Sequence, residues 1–166
     1  MRQTVTAATG WNVTLRSASA DDESFLHSLY ADRRAPELAA VGWPPAERQA
    51  FVDLQFRAQQ EGYGAAFPRA DHWIVEDGTT PVGRLLVDRG PHEHRVVDLV
   101  ILTAWRGRGI GSALMREVMA DAGAADVPVA LTVEAYDQRL VGWYRGMGFS
   151  VVDEGSVHLG MVWHGG

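Results

Sequence analysis

Apolar positions along this chain change period in an order that predicts its elements. Val13 and Leu15 alternate with polar neighbours, the pattern of a half-buried first strand. Ser19, with Asp22 following, has the form of a capping box, and Phe25, Leu26, Leu29 and Tyr30 then share one helical face to about Arg34. A loop holding Pro36, Gly42 and Trp43 leads to Pro44-Pro45, a suitable helix start. Phe51, Leu54, Gln55 and Ala58 keep helical spacing from there to about Gln60. His72 to Glu76 reads as a strand, Asp77-Gly78 as a turn, and Val82 to Asp88 as the hairpin partner. Arg89 to His92 turns the chain into a central strand from about His94 to Leu102.

After that strand and a short linker, Thr103 to Trp105, the run Arg106-Gly107-Arg108-Gly109-Ile110-Gly111-Ser112 opens a helix. Its apolar residues Ile110, Leu114 and Val118 recur at helical spacing to about residue 122. A strand from Val129 to Glu134 follows. Asp137 then caps a helix that ends at Gly148, and Phe149 to Val152 and Val157 to Trp163 read as a last antiparallel pair. The order is β-α-α-β-β-β-α-β-α-β-β, an α+β chain with residues 1–10 as a flexible or strand-leading segment. No repeat or linker divides it, so residues 1–166 are expected to form a single domain.

Strand, glycine-rich turn and helix N-terminus together make an anion site. Glycines let the backbone approach, first-turn N–H groups lack helical partners, and the helix dipole adds attraction. Arg106 and Arg108 supply charge-assisted donors. The spacing excludes the common nucleotide loops. Counting from Gly107 or Gly109, the third glycine of G-x-G-x-x-G is Ser112 or Leu114, and the chain has no lysine for a Walker A loop. Neither nucleotide reading survives.

What remains, Arg-x-x-Gly-x-Gly, resembles the acetyl-CoA pyrophosphate loop of the GCN5-related N-acetyltransferase (GNAT) family. Downstream, Trp143-Tyr144 and Gly148-Phe149 fall at the spacing of a second motif of that family, while Asp137 stands where asparagine is usual. The substitution keeps an N-cap acceptor and loses the amide donor. The resemblance implies a GNAT-like fold, a mostly antiparallel sheet of about six to seven strands splayed at its centre with four helices. It also implies acetyl transfer from the CoA thioester to an amine by direct attack. Val100, Ile101 and Leu102 would hold pantetheine by their backbone, and Arg106, Gly107, Arg108, Gly109, Ile110, Gly111, Ser112 and Asp137 would hold the rest of CoA. Tyr144 matches the family's general acid. The first two helices would wall the acceptor pocket, with Tyr30, Trp43 and Tyr63 as lining candidates. Dimers through an exposed last strand are common in this family. A CoA-binding sensor or interaction module without catalysis is the alternative reading.

Composition narrows the chemistry. Hydrophobic residues make up 46% of the 166 residues, enough for a packed core. With no cysteine, disulfides, cysteine-ligated zinc and a thiolate nucleophile are excluded. The histidines show no metal-ligand spacing, so no metal is expected. A net charge of −6 argues against nucleic acid, and it favours, if weakly, a cationic amine as acceptor. No apolar run is long enough for a membrane helix, and Met1 to Gly10 shows no signal pattern, so a cytoplasmic location is expected. The acceptor, a small molecule or a peptide, is not specified by these residues. A base is still required, because an alkylamine arrives protonated. Asp98, a carboxylate inside an apolar strand, and Glu134, at the end of the next, are the two candidates.

Overall fold

Strand-forming runs rich in valine, isoleucine and leucine dominate the middle of the chain. In the computed structural model, which describes residues 2–165, they assemble with the terminal strands into one eight-stranded sheet. The strands are β1 (Arg2–Thr6), β2 (Asn12–Ser17), β3 (Asp71–Asp77), β4 (Thr80–Arg89), β5 (His94–Ile101), β6 (Val129–Glu134), β7 (Ser150–Glu154) and β8 (His158–Trp163). Their spatial order is β1-β2-β3-β4-β5-β6-β8-β7, and only β5 and β6 run parallel. Four helices accompany them: α1 (Glu23–Val41), α2 (Pro45–Ala66), α3 (Ile110–Ala124) and α4 (Gln138–Gly146). None of the described helices is long and apolar enough to cross a membrane.

The splayed α+β architecture expected from the sequence is present, with one strand more than expected. Residues 2–6 are not a flexible lead but β1, paired in register with β2 from Arg2↔Arg16 to Thr6↔Asn12. Val5 is its single apolar residue among polar ones, too short an alternation to read. It is nevertheless buried, as is Ala7, in the main core against α3.

Both early helices overrun their expected ends. Proline removes one helical hydrogen bond at a cost of roughly 3 kcal/mol, so Pro36 reads as a stop. The helix continues through it because Leu38, beyond the proline, is buried, and it ends at Gly42 in the left-handed region. In α2 the buried residues are Val52 and Phe56, not the expected stripe of Phe51, Leu54, Gln55 and Ala58. Leu54 is 64% exposed. Phe56 joins Leu26 and Ile74 in a small cluster beneath the helix pair, so tertiary packing rather than helical period chose the inner face.

Leu114, Met115 and Val118 of α3 fill the larger core on the opposite face of the sheet. The face beneath α1 and α2 is partly polar. There Arg16 on β2 donates through Nε to Glu76 at 2.7 Å, and through Nη1 and Nη2 to both carboxylate oxygens of Asp22 at 2.8 and 2.7 Å. Asp22 also accepts from the Ser19 backbone N–H at 2.8 Å, one arm of the predicted capping box. The arginine bonds hold the Asp22 carboxyl at about 2, below its ordinary value.

Because the folded value lies below the unfolded one, Asp22 stabilises the fold above about pH 4, and that contribution fades as pH falls towards 2. Arg16→Met strands two buried carboxylates and should cost about 3 kcal/mol in urea unfolding at pH 7. The variant should also lose less stability than the parent between pH 5 and pH 2. Equal losses would show that Arg16 does not hold Asp22.

Candidate active site

The site is built where β5 leaves β6. Across β4, Leu86 pairs with Asp98 but Val87 with Val96, so Val97 is an extra residue, a β-bulge in the central strand. On the other side, pairing with β6 stops at Val96↔Leu131. Beyond that point the two strands diverge and leave a gap.

Antiparallel alternation shows which backbone groups face it. The Leu102 N–H donates to the Val82 carbonyl at 2.9 Å, so Leu102, Val100 and Asp98 bond towards β4. Leu99 and Ile101 therefore turn their N–H and C=O groups into the gap. The Ile101 carbonyl is met there by Arg106 Nε at 3.0 Å. Of the expected backbone trio, Ile101 is placed to serve, while Val100 and Leu102 have their N–H groups in the sheet. Leu99 was missed because only the hydrogen-bond phase reveals it.

Above the gap lies the glycine-rich turn. Gly107 and Gly109 have φ of 76° and 78°, the left-handed region where a side chain is strained. Gly111 faces Trp143 from the other side, and a Cβ there would meet the indole at an ordinary contact distance of 3.6 Å. Gly109 caps α3, whose first-turn N–H groups at Ile110, Gly111 and Ser112 have no intrahelical acceptor. The turn borders a cavity of about 450 Å³ that also takes in Ile101, Arg106 and Trp143. Asp137 closes it, capping α4 by accepting the Leu140 N–H at 2.9 Å as expected.

Arg108 has a different position. Its guanidinium sits in the corner formed by two edge-to-face indoles, 4.5 Å from the Trp11 ring centre and 4.3 Å from that of Trp105, and does not border the cavity. It packs the loop from β1 to β2 against the turn.

A second cavity, about 490 Å³, opens between α1, α2 and the faces of β5 and β6. Tyr30 and Tyr63 line it, with Gln55 and Ala58 of α2. Trp43 does not. It is exposed and stacks edge-on with Phe51, 5.1 Å between ring centres, outside the lining of either cavity. The two cavities meet, for Arg33, Leu99, Glu134, Leu140 and Tyr144 border both.

The ionisable groups at this junction are specific. Asp98 is buried, with Arg33 Nη1 at 3.3 Å and Arg84 Nε at 3.4 Å. Burial raises its carboxyl above the ordinary value, while the two guanidiniums pull against that rise. Glu134 is more open and accepts from the Tyr136 hydroxyl at 2.6 Å. Tyr144, on α4, is 6% exposed and packs edge-on against Trp143 and Phe149. Burial lifts its phenol well above the usual value, so it stays protonated. Tyr63 is pushed up to about 12, also by burial. Arg33 was not among the expected residues, though its place one turn beyond Tyr30 on α1 is the signal that could have revealed it.

The sequence matches the model of the acetyltransferase (GNAT) family over residues 22–149. No curated protein matches it. Solved structures share the fold at low identity. The PaiA N-acetyltransferase of Thermoplasma acidophilum, in complex with coenzyme A, superposes with a TM-score of 0.70 at 13% identity, covering 92% of this chain and 98% of that one. An acetyltransferase of Thermus thermophilus gives 0.65 at 20% identity over 96% and 97% of the two chains. A Corynebacterium glutamicum protein, described as histone acetyltransferase HPA2 and related acetyltransferase, gives 0.65 at 21% over 99% and 98%.

Packed over two indoles that meet edge-to-face, Arg108 should act mainly on stability. Arg108→Ala is expected to lower the unfolding free energy by about 1–2 kcal/mol, measured in urea. An unchanged midpoint would mean that the stacking contributes nothing.

Proposed function

This chain belongs to the acetyltransferase (GNAT) family, and on that premise we propose that it binds acetyl-CoA and transfers the acetyl group to an amine by direct attack. The observation that carries the reading is the meeting of the two cavities. A donor cleft beneath the glycine turn and an acceptor cavity beneath α1 and α2 join at Tyr144, beside Asp98 and the outward backbone of Leu99.

The donor cleft fits CoA in shape and charge. Gly107 has open space where a side chain would otherwise stand. First-turn N–H groups of α3 and the Arg106 guanidinium suit a pyrophosphate, and the gap-facing N–H of Ile101 suits an amide of the pantetheine arm. Asp137, an anion at this cleft, serves as a cap to α4 rather than as a ligand. When bound, the thioester supplies an activated acyl carbon.

The residues then divide the work. Asp98 takes the proton of the acceptor's ammonium, directly or through water, which frees the lone pair for attack. The Leu99 N–H, drawn to the Asp98 carboxylate at rest, turns to the acyl oxygen as charge builds there once Asp98 has taken the proton. Tyr144 donates a hydrogen bond to the departing sulfur, which leaves as thiolate, and the second proton on nitrogen passes to that thiolate through water as the intermediate collapses to the amide. A phenol raised by burial holds its proton more tightly than a thiol of ordinary value near 8.5, so stabilisation rather than full transfer is its part. Glu134, engaged by Tyr136, is the less available base.

Acetyl-CoA at about 100 times its Kd should stabilise the protein by about 2.7 kcal/mol, seen as a rise in Tm that Arg106→Glu abolishes. Tyr144→Phe should lower kcat by about tenfold to a hundredfold with little change in KM, and Asp98→Asn by a hundredfold or more. In the parent, rate should climb with pH as Asp98 loses its proton, above the ordinary carboxylate value of about 3.9. Glu134→Gln should retain that limb. Binding without turnover, unaffected by Tyr144→Phe, would leave a CoA-binding module and no enzyme. No rise in Tm would remove both.

A further inference from the structure

The wall of the acceptor cavity carries more guanidiniums than carboxylates, although the chain is acidic overall. The chain carries a net charge of −6. Yet three guanidiniums line this cavity, Arg33, Arg34 and Arg95, against two carboxylates, Asp98 and Glu134. A fourth, Arg84, lies buried directly behind Asp98 at 3.4 Å. Glu37 and Glu93, which pair with Arg34 and Arg95, balance the count overall but stand outside the lining, so the wall itself meets an entering diamine or polyamine with more cations than anions. An acceptor carrying an anion finds a partner there.

The three lining arginines differ in how firmly they are held. Arg33 is held by the buried Asp98 at 3.3 Å. Arg34 lies 3.0 Å from Glu37 and 4.0 Å from Glu134, and its guanidinium stacks over Tyr30. Arg95 rests Nε and Nη2 on one oxygen of Glu93, with both side chains a third or more exposed. Such an exposed pair is worth little and exchanges readily. Its cross-strand neighbour Asp88 forms no ion pair with it among the described residues. Arg95 is therefore the cation free to take a new partner.

Its place fixes a distance. Arg95 sits where β5 and β6 are still paired, opposite Ala130, at the closed end of the gap. Asp98 is three residues further along, beside the junction with the donor cleft. Because the bulge at Val97 sets these three residues against only two on β4, Asp88 to Leu86, their backbones are separated by about 7 Å, a span that the reach of the Arg95 side chain adjusts.

We propose that the acceptor is an amino-carboxylate whose reacting amine is several bonds from its carboxylate. The amine sits by Asp98 at the junction, and the carboxylate pairs with Arg95 at the closed end. This assignment rests on the acetyl-transfer reading of the same site. It deepens that reading by naming the acceptor class, and it replaces the cationic acceptor that net charge alone suggested.

The probes are matched pairs: 5-aminopentanoate and 6-aminohexanoate against 1,5-diaminopentane and 1,6-diaminohexane, assayed by CoA thiol release from acetyl-CoA. Binding to the CoA-saturated protein is measured in parallel by calorimetry. The amino-carboxylates should be preferred at least tenfold in kcat/KM. Arg95→Gln should raise their KM about tenfold while leaving the KM for acetyl-CoA and the Tm shift with CoA unchanged. Arg95→Lys should recover part of the loss, and Glu93→Gln, which frees Arg95, should lower the KM. Equal or better use of the diamines overturns the proposal. So does a change in Arg95→Gln that falls alike on both acceptor types, or failure of every amino-carboxylate to bind the CoA complex. A protein that shows no Tm shift with acetyl-CoA fails the underlying reading instead, which separates the two failures.

Discussion

Every buried backbone N–H and C=O needs a partner, and the central strand of this sheet is arranged so that some of its groups have none within the sheet. The extra residue at Val97 bends β5, and beyond Val96 the strand has a neighbour on one side only. Leu99 and Ile101 are left facing a gap. The protein answers part of this demand itself, with Arg106 on the Ile101 carbonyl and the Asp98 carboxyl drawn towards the Leu99 N–H. The N–H of Ile101 faces the gap, the group that the proposed reading offers to an amide of the pantetheine arm. The glycine turn above the gap and the acceptor cavity beside it are both placed by this single departure from regular pairing.

The sheet face under α1 and α2 carries two ionic clusters with opposite balances. Around Arg16, one guanidinium serves two buried carboxylates, Asp22 and Glu76. Around Asp98, two guanidiniums serve one carboxylate. Arg16, Arg84 and Asp98 fall on the same face by strand register, since Arg16 pairs with Ile74 and Ile74 with Arg84, while Asp98 pairs with Leu86, two residues on from Arg84. The first cluster ties β2 and β3 to the start of α1. The second ties β4 and β5 to the middle of α1 and leaves positive charge beside the cavity. The wall of this cavity is thus richer in guanidiniums than the acidic chain as a whole, and burial makes that local balance weigh more than the distant surface charge.

The donor side of the site was legible because it is local. A glycine turn, an N-terminal helical turn and a capping aspartate depend on neighbours within a few residues, and Gly107, Gly109 and Gly148 take the positive φ that their positions imply. Arg106 and Arg108 look equivalent in sequence. Only contacts with Trp11 and Trp105, residues from separate parts of the chain, assign Arg108 to packing and leave Arg106 at the cleft. Trp43 likewise looks like a pocket residue until α1 overruns Pro36 and carries the turn away from the cavity.

The sequence by itself determined the order of elements after β1, the family, the glycine turn and the cap of α4, because each is written in periodicity or in residues close along the chain. Tertiary structure alone decided the eighth strand, the inner face of α2, the hydrogen-bond phase that points Leu99 and Ile101 into the gap, and the charge of the acceptor cavity. Those features depend on register and on side chains that meet from distant segments. Neither hydrophobic period nor net charge contains that information.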